Sequence, residues 1–223
     1  MISRLPRWVW TGGAVLSFVA GMVNAIAFLS FVHQASTHIT GIITHFSLKT
    51  FQADFVGMSQ SGFSILFFFT GAALSGLIVR DGHLRMGRRY GVALTIECAL
   101  LLFSTWAFHE KMVLGEYLAC MAAGVQNAMV STYSGAIVRT THMTGILTDL
   151  GSLIGQWLGG VSVSFQKIKL LVGILLAFFW GGFCGAFAYG SMGYLAMLIP
   201  ATIVGICALV YLWLRHHYHL KTI

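Results

Sequence analysis

The 223-residue sequence predicts an all-α fold, a polytopic membrane helix bundle of six transmembrane helices plus two short re-entrant or interfacial helices, built from two inverted repeats. Three observations carry that expectation. Hydrophobic residues make up 57% and charged residues only 9%, where a soluble domain carries about 25% charged residues to wet its surface. The apolar runs approach the ~20 residues that cross a bilayer. Two polar motifs also recur in the second half of the chain at nearly one offset. The lipid bilayer is therefore the expected partner, and 1–223 reads as a single membrane domain. The net charge of +7 sits between the apolar runs, so it is read as a topology signal and nucleic-acid binding is not expected.

Six runs are long enough to span: Trp8–Phe31, Gly62–Arg80, Tyr90–Phe108, Leu118–Val138, Lys169–Gly190 and Gly193–Leu214. Two others, Ile39–Val56 and Met143–Gly160, are amphipathic and weaker. The charges choose between six crossings and eight. With six crossings and an internal N-terminus, all of the 13 Lys and Arg except Lys49 and Lys111 fall on the cytoplasmic side. With eight, Arg80, Arg85, Arg88, Arg89 and Arg139 move outside. The positive-inside rule favours six, which places both termini in the cytoplasm. Trp8, Trp10, Trp106, Tyr117, Tyr211 and Trp213 lie near span ends, as an aromatic belt requires. Met1–Ala25 resembles a signal peptide, but the same stretch has a counterpart deep in the chain. Cys98, Cys120, Cys184 and Cys207 lie in apolar runs without ligand spacing and read as small hydrophobes.

The recurring motifs define the repeat. Gly21-Met22-Val23-Asn24-Ala25 corresponds to Gly124-Val125-Gln126-Asn127-Ala128. Thr37-His38-Ile39-Thr40-Gly41-Ile42-Ile43-Thr44 corresponds to Thr141-His142-Met143-Thr144-Gly145-Ile146-Leu147-Thr148, with six of eight positions identical. The repeats cover about 1–108 and 109–223. Three crossings per repeat is an odd number, so the second copy lies upside down, related to the first by a pseudo-two-fold axis in the membrane plane. Spanning weak segments would instead make the repeats parallel.

The weak segments carry the polar chemistry. Ile39, Ile42, Ile43, Phe46 and Phe55 follow helical spacing, interrupted by Thr40, Thr44, Lys49 and Gln52. Thr37 or Thr40 is expected to cap the helix, with Gly41 permitting close backbone approach. Such a segment is either re-entrant, its N-terminus at mid-membrane, or flat at the interface. The recurrence of the motif at its start favours re-entry. Converging N-termini would then concentrate positive potential near the axis. A small-solute site is expected there from Asn24, His38, Thr40, Gly41, Thr44, His45, Asn127, His142, Thr144, Gly145, Thr148 and Asp149. His45 and Asp149 are repeat equivalents that could face each other as a proton-handling couple; the plainer reading leaves Asp149 at the rim beside Arg139. Glu97, deep in the third run, is a second proton-handling candidate, protonated or paired with a histidine. Gly155 with Gly159, and Gly181 with Gly185, are read as helix-packing positions. His216, His217 and His219 read as interfacial.

The two glycine–asparagine motifs, the two His-x-Thr-Gly motifs and the run Gln126-Asn127-Ala128-Met129-Val130-Ser131-Thr132-Tyr133-Ser134-Gly135 resemble the YoaK family over nearly the whole chain. That family comprises small bacterial inner-membrane proteins defined by a domain of unknown function. The resemblance implies a polytopic protein of the bacterial inner membrane and supplies no substrate. Many relatives carry Asp at the position of Asn24 and Asn at that of Ile42. Three functions compete. The inverted repeat favours a small-solute transporter or channel-like permease. An assembly or regulatory membrane protein without substrate is the alternative. A membrane-embedded enzyme built on His38, His45, His142 and Asp149 is disfavoured, because no nucleophile or metal-ligand spacing stands out, so no enzyme activity, metal or cofactor is expected. A homo-oligomer is left open.

Overall fold

The computed structural model describes residues 7–79, 88–135 and 138–220. Among these the chain is all-helical. In order come α1 (Arg7–Leu29), α2 (Ile39–Phe51), α3 (Phe55–Ile78), α4 (Arg88–His109), α5 (Leu114–Ser134), α6 (Met143–Leu158), α7 (Phe165–Met192) and α8 (Leu198–Leu220), with a 3-10 turn over Gly193–Met197 before α8. Four segments are long and apolar enough to cross a membrane: Trp8–Leu29, Phe55–Ile78, Arg89–His109 and Phe165–His216. The last runs through both α7 and α8. Helix α5 is of similar length, but Glu116, Gln126 and Asn127 make it less apolar. The expected cytoplasmic loop around 80–87, with Arg80 and Arg85, lies outside the described residues, as do Arg4 and Lys221.

Helix boundaries differ from the sequence reading where a polar cap sets them. Helix α3 begins at Phe55 because the Asp54 side chain accepts from the Gly57 amide and satisfies one of the donors exposed at a helix start. Ser164 does the same for α7 through Lys167 N–H. Neither Thr37 nor Thr40 caps α2. Its N-cap is His38, and that of α6 is His142, neither with a side-chain cap bond.

Helix α1 packs on α7 and α3 on α5, so each half clasps an element of the other, while α4 packs against α5 and α8. The two clasps use the same device. A Cβ at Gly21 would collide with the Phe178 carbonyl, and one at Gly181 with the Phe18 carbonyl. On the other pair, a Cβ at Gly124 would collide with the Phe68 carbonyl and one at Gly71 with the Met121 carbonyl. Bare glycines let the backbones touch, which is how helices associate where burial in lipid gives no hydrophobic drive. Gly185 also packs against the backbone of Met22. Gly155 faces open space and Gly159 meets only its own helix, so that pair packs against no other helix among the described residues.

The interior combines Val19, Val23, Ile26, Leu101, Val125, Ile174 and Val204 with buried polar groups, among them Ser17, Ser61, Ser64, Ser104, Glu97, Glu116 and Gln126. The outside presents Phe69, Leu77, Phe103, Trp180, Phe183 and Phe187. An apolar exterior around a polar-studded interior is the distribution a hydrocarbon surrounding selects.

Candidate functional site

Two loops enter the bundle, one before α2 and one before α6, and each is tied to a long helix by the recurring asparagine. The Asn24 side-chain oxygen accepts from the Thr37 amide at 3.1 Å and its hydroxyl at 2.9 Å. The Asn127 oxygen accepts from the Thr141 hydroxyl at 2.7 Å. A second tie lies one residue earlier in each loop. Ser36 donates to Glu116 at 3.0 Å, and Cys120 donates to the other oxygen of that carboxylate at 3.3 Å. At the equivalent place, Thr140 accepts from Gln126 through its hydroxyl at 2.9 Å, and its carbonyl lies 3.0 Å from the Ser17 hydroxyl. Ser36 and Thr140, like Ser17 and Cys120, are repeat equivalents, so the loops are anchored alike with different chemistry.

Thr37 and Thr141 both line one central cavity of about 10 Å³, together with Glu97, Gln126, Val23 and Leu101. The loops before α2 and α6 therefore both border this cavity. Glu97 is 1% exposed, and its Oε2 has no hydrogen-bond partner. It forms no ion pair among the described residues, so of the two readings, protonated or paired with a histidine, the pairing is not seen.

The motif residues beyond these threonines point elsewhere. The His38 ring lies against Gly41, where a Cβ would overlap it; the glycine admits an imidazole rather than another backbone. His142 sits more loosely, 3.8 Å from where a Cβ of Gly145 would be. Thr44 and Thr148 bond back to the carbonyls of Thr40 and Thr144 at 3.0 and 2.9 Å. His38, Thr40, Thr44, His45, His142, Thr144, Thr148 and Asp149 are all exposed. The charge partner of Asp149 is Lys167 at 3.2 Å, rather than His45. The central group is thus Asn24, Thr37, Glu97, Gln126, Asn127 and Thr141. Thr37 was read only as a helix cap, and Gln126 and Thr141 were visible only within motif strings. Glu116 had no signal, because its repeat equivalent is Gly13.

The two ends of the bundle differ. At one, Phe108 stacks on Tyr194 at 5.9 Å and Phe31 meets both edge-on at 6.2 Å. Ser104 there donates to the Gly115 carbonyl at 2.7 Å, holding α4 on α5. At the other end an apolar cavity of about 320 Å³ separates α1 from α8. Its lining includes the buried Leu16, Tyr90, Leu94 and Met129 and the exposed Val15, Ile206 and Val210. Among the described residues no three His, Cys, Asp or Glu side chains gather as metal ligands. A family model described as "Protein of unknown function (DUF1275)" matches residues 12–210, consistent with the resemblance drawn from the motifs. No curated protein and no solved structure matches the chain.

Proposed function

Since the chain belongs to the DUF1275 family, whose description carries no activity, we propose from the site itself that it is a small-solute permease of the bacterial inner membrane, with six crossings, two inverted repeats and a solute site where the halves meet. The observation that carries the reading is the convergence of Thr37 and Thr141, one from each repeat, on a single buried carboxyl-bearing cavity.

Contacts at the two ends support the inverted arrangement. Trp8 and Tyr90 share a cavity with Ser134 and Leu214, so α1 and α4 start where α5 and α8 finish. Phe31, Phe108 and Tyr194 meet at the opposite end. Tyr117 at the start of α5 packs on Phe63 and Phe67, in the first half and at the middle of α3, at 5.7 and 5.3 Å. These contacts support a course in which helix α2 leaves the centre and returns to the end to which α1 brought the chain, the re-entrant reading. Asp149 bound to Lys167 at the start of α7 supports the same course for α6. Arg139, Lys167, Lys169 and Arg215 cluster toward the Trp8 end, with Lys49 and Lys111 at the other, so the Trp8 end is assigned to the cytoplasm.

The small volume at the centre favours a second reading, an assembly or regulatory protein that binds no solute. A thermal-shift screen of the purified protein against sugars, amino acids, organic acids and nucleosides separates the two. A ligand at a hundred times its Kd stabilises by about 2.7 kcal/mol, ample for a visible shift in Tm. At least one chemical class should raise Tm, and Asn24→Leu or Asn127→Leu should remove the response. Indifference to every class at millimolar concentration would leave the substrate-free reading.

A further inference from the structure

Glu97 is isolated electrostatically. No Lys, Arg, His or Asp lines its cavity; Gln126 faces it from α5, Ala20 and Val23 from α1, and the two threonines from the loops. The thiols of Cys98 on its own helix and Cys207 on α8 feel its charge. A lone charge in such surroundings has to be neutralised. A space of about 10 Å³ admits about one water, too little for a metal ion with its hydration shell but enough for a proton carrier.

The large cavity approaches Glu97 from the Trp8 side. Leu16, Leu94 and Met129, which line the large cavity, lie three or four residues from Ala20, Glu97 and Gln126, which is one helical turn or about 5.4 Å. Toward the other end, the remainder of α4 and the stacked Phe108–Tyr194 pair stand in the way.

We propose that Glu97 is a proton-binding site, reached from the Trp8 end across the Leu16–Leu94–Met129 layer and sealed from the opposite end in this conformation, whose loading drives the permease. The driving role rests on the permease reading; the proton site stands by itself. Dicyclohexylcarbodiimide, an apolar reagent that attacks protonated carboxyls buried in membranes, tests it on the full chain in liposomes, with adducts located by peptide mass spectrometry. Modification of Glu97 should fall as pH rises and vanish in Glu97→Gln. Leu94→Ala should speed it about tenfold by thinning the layer, whereas Phe108→Leu should change it by less than about twofold. Met129→Ala serves the same purpose if Leu94→Ala fails to fold. Absent or pH-independent modification, protection by sodium at constant pH, or a faster reaction in Phe108→Leu than in the layer variants would overturn the proposal. A pH-dependent Glu97 in a protein that ignores every solute would sustain the proton site while removing the permease.

Discussion

Asn24 and Asn127 occupy the same repeat position but hold their loops unequally, since Asn24 takes two bonds from Thr37 and Asn127 takes only the Thr141 hydroxyl. Asn24→Leu should therefore destabilise the protein by about 1–3 kcal/mol, because the Thr37 donors stay buried without a partner. Asn127→Leu should cost less. Asn24→Asp keeps an acceptor in place and should retain more stability than Asn24→Leu; thermal denaturation in detergent ranks the three. Repetition made both asparagines legible in the sequence. Their partners were not, because Thr37 reads as a helix cap when the helix is imagined starting in water. A loop sunk in protein spends that hydroxyl on a neighbouring helix instead. The pairing of Asp149 with Lys167 was equally hidden, since the two residues lie on different helices. With both side chains a third or more exposed, Asp149→Asn should shift stability by less than about 1 kcal/mol.

At the level of helices, the long apolar runs and their order were readable because length and hydropathy are local properties. The clasping of α1 by α7 and of α3 by α5 was not, because in lipid the contacting faces are no more apolar than the exposed ones. Glycine was the available clue, and it works only where a backbone lies opposite. Gly124→Ala should destabilise the protein by about 1–3 kcal/mol through collision with the Phe68 carbonyl. Gly76→Ala, on α3 with nothing near, should stabilise it by about 0.5–1 kcal/mol, as alanine does in a helix interior. The turn into α3 brings a pH dependence. The Gly57 amide first, and Lys49 at 2.9 Å second, hold the Asp54 carboxyl below its ordinary value of 3.8. A depressed acid contributes stability that is complete above the unfolded value and lost as pH falls through the folded one. Tm should thus decline on acidification below about pH 4, and Asp54→Asn should flatten that acid limb.

For the whole molecule, the close glycine contacts fall into two like pairs: Gly21 with Phe178 and Gly181 with Phe18 between α1 and α7, Gly124 with Phe68 and Gly71 with Met121 between α3 and α5. The proposed topology sends the turn after α4 and the turn after α6 to opposite faces. In a cysteine-free background, Glu110→Cys should react with an impermeant maleimide from the periplasm, and Val161→Cys only after the membrane is opened. Both sites are exposed, so labelling of both from one side would refute the inverted arrangement. The closed seam between α4 and α5 and the cavity at the equivalent α1–α8 seam make the halves alike in plan and unlike in state, a difference that no repeated string of residues could announce.

The exchange of partners between the halves sets a timetable for biogenesis. Helix α3 meets α5 soon after both leave the ribosome, but α1 must wait for α7, which begins at Phe165. At about 5–20 residues per second that delay is roughly 7–30 s, during which the Gly21 face of α1 sits in the bilayer with no neighbour of the right shape. The first half made alone lacks that neighbour and should be less stable in the membrane than the full chain, and co-expression of the second half should restore it.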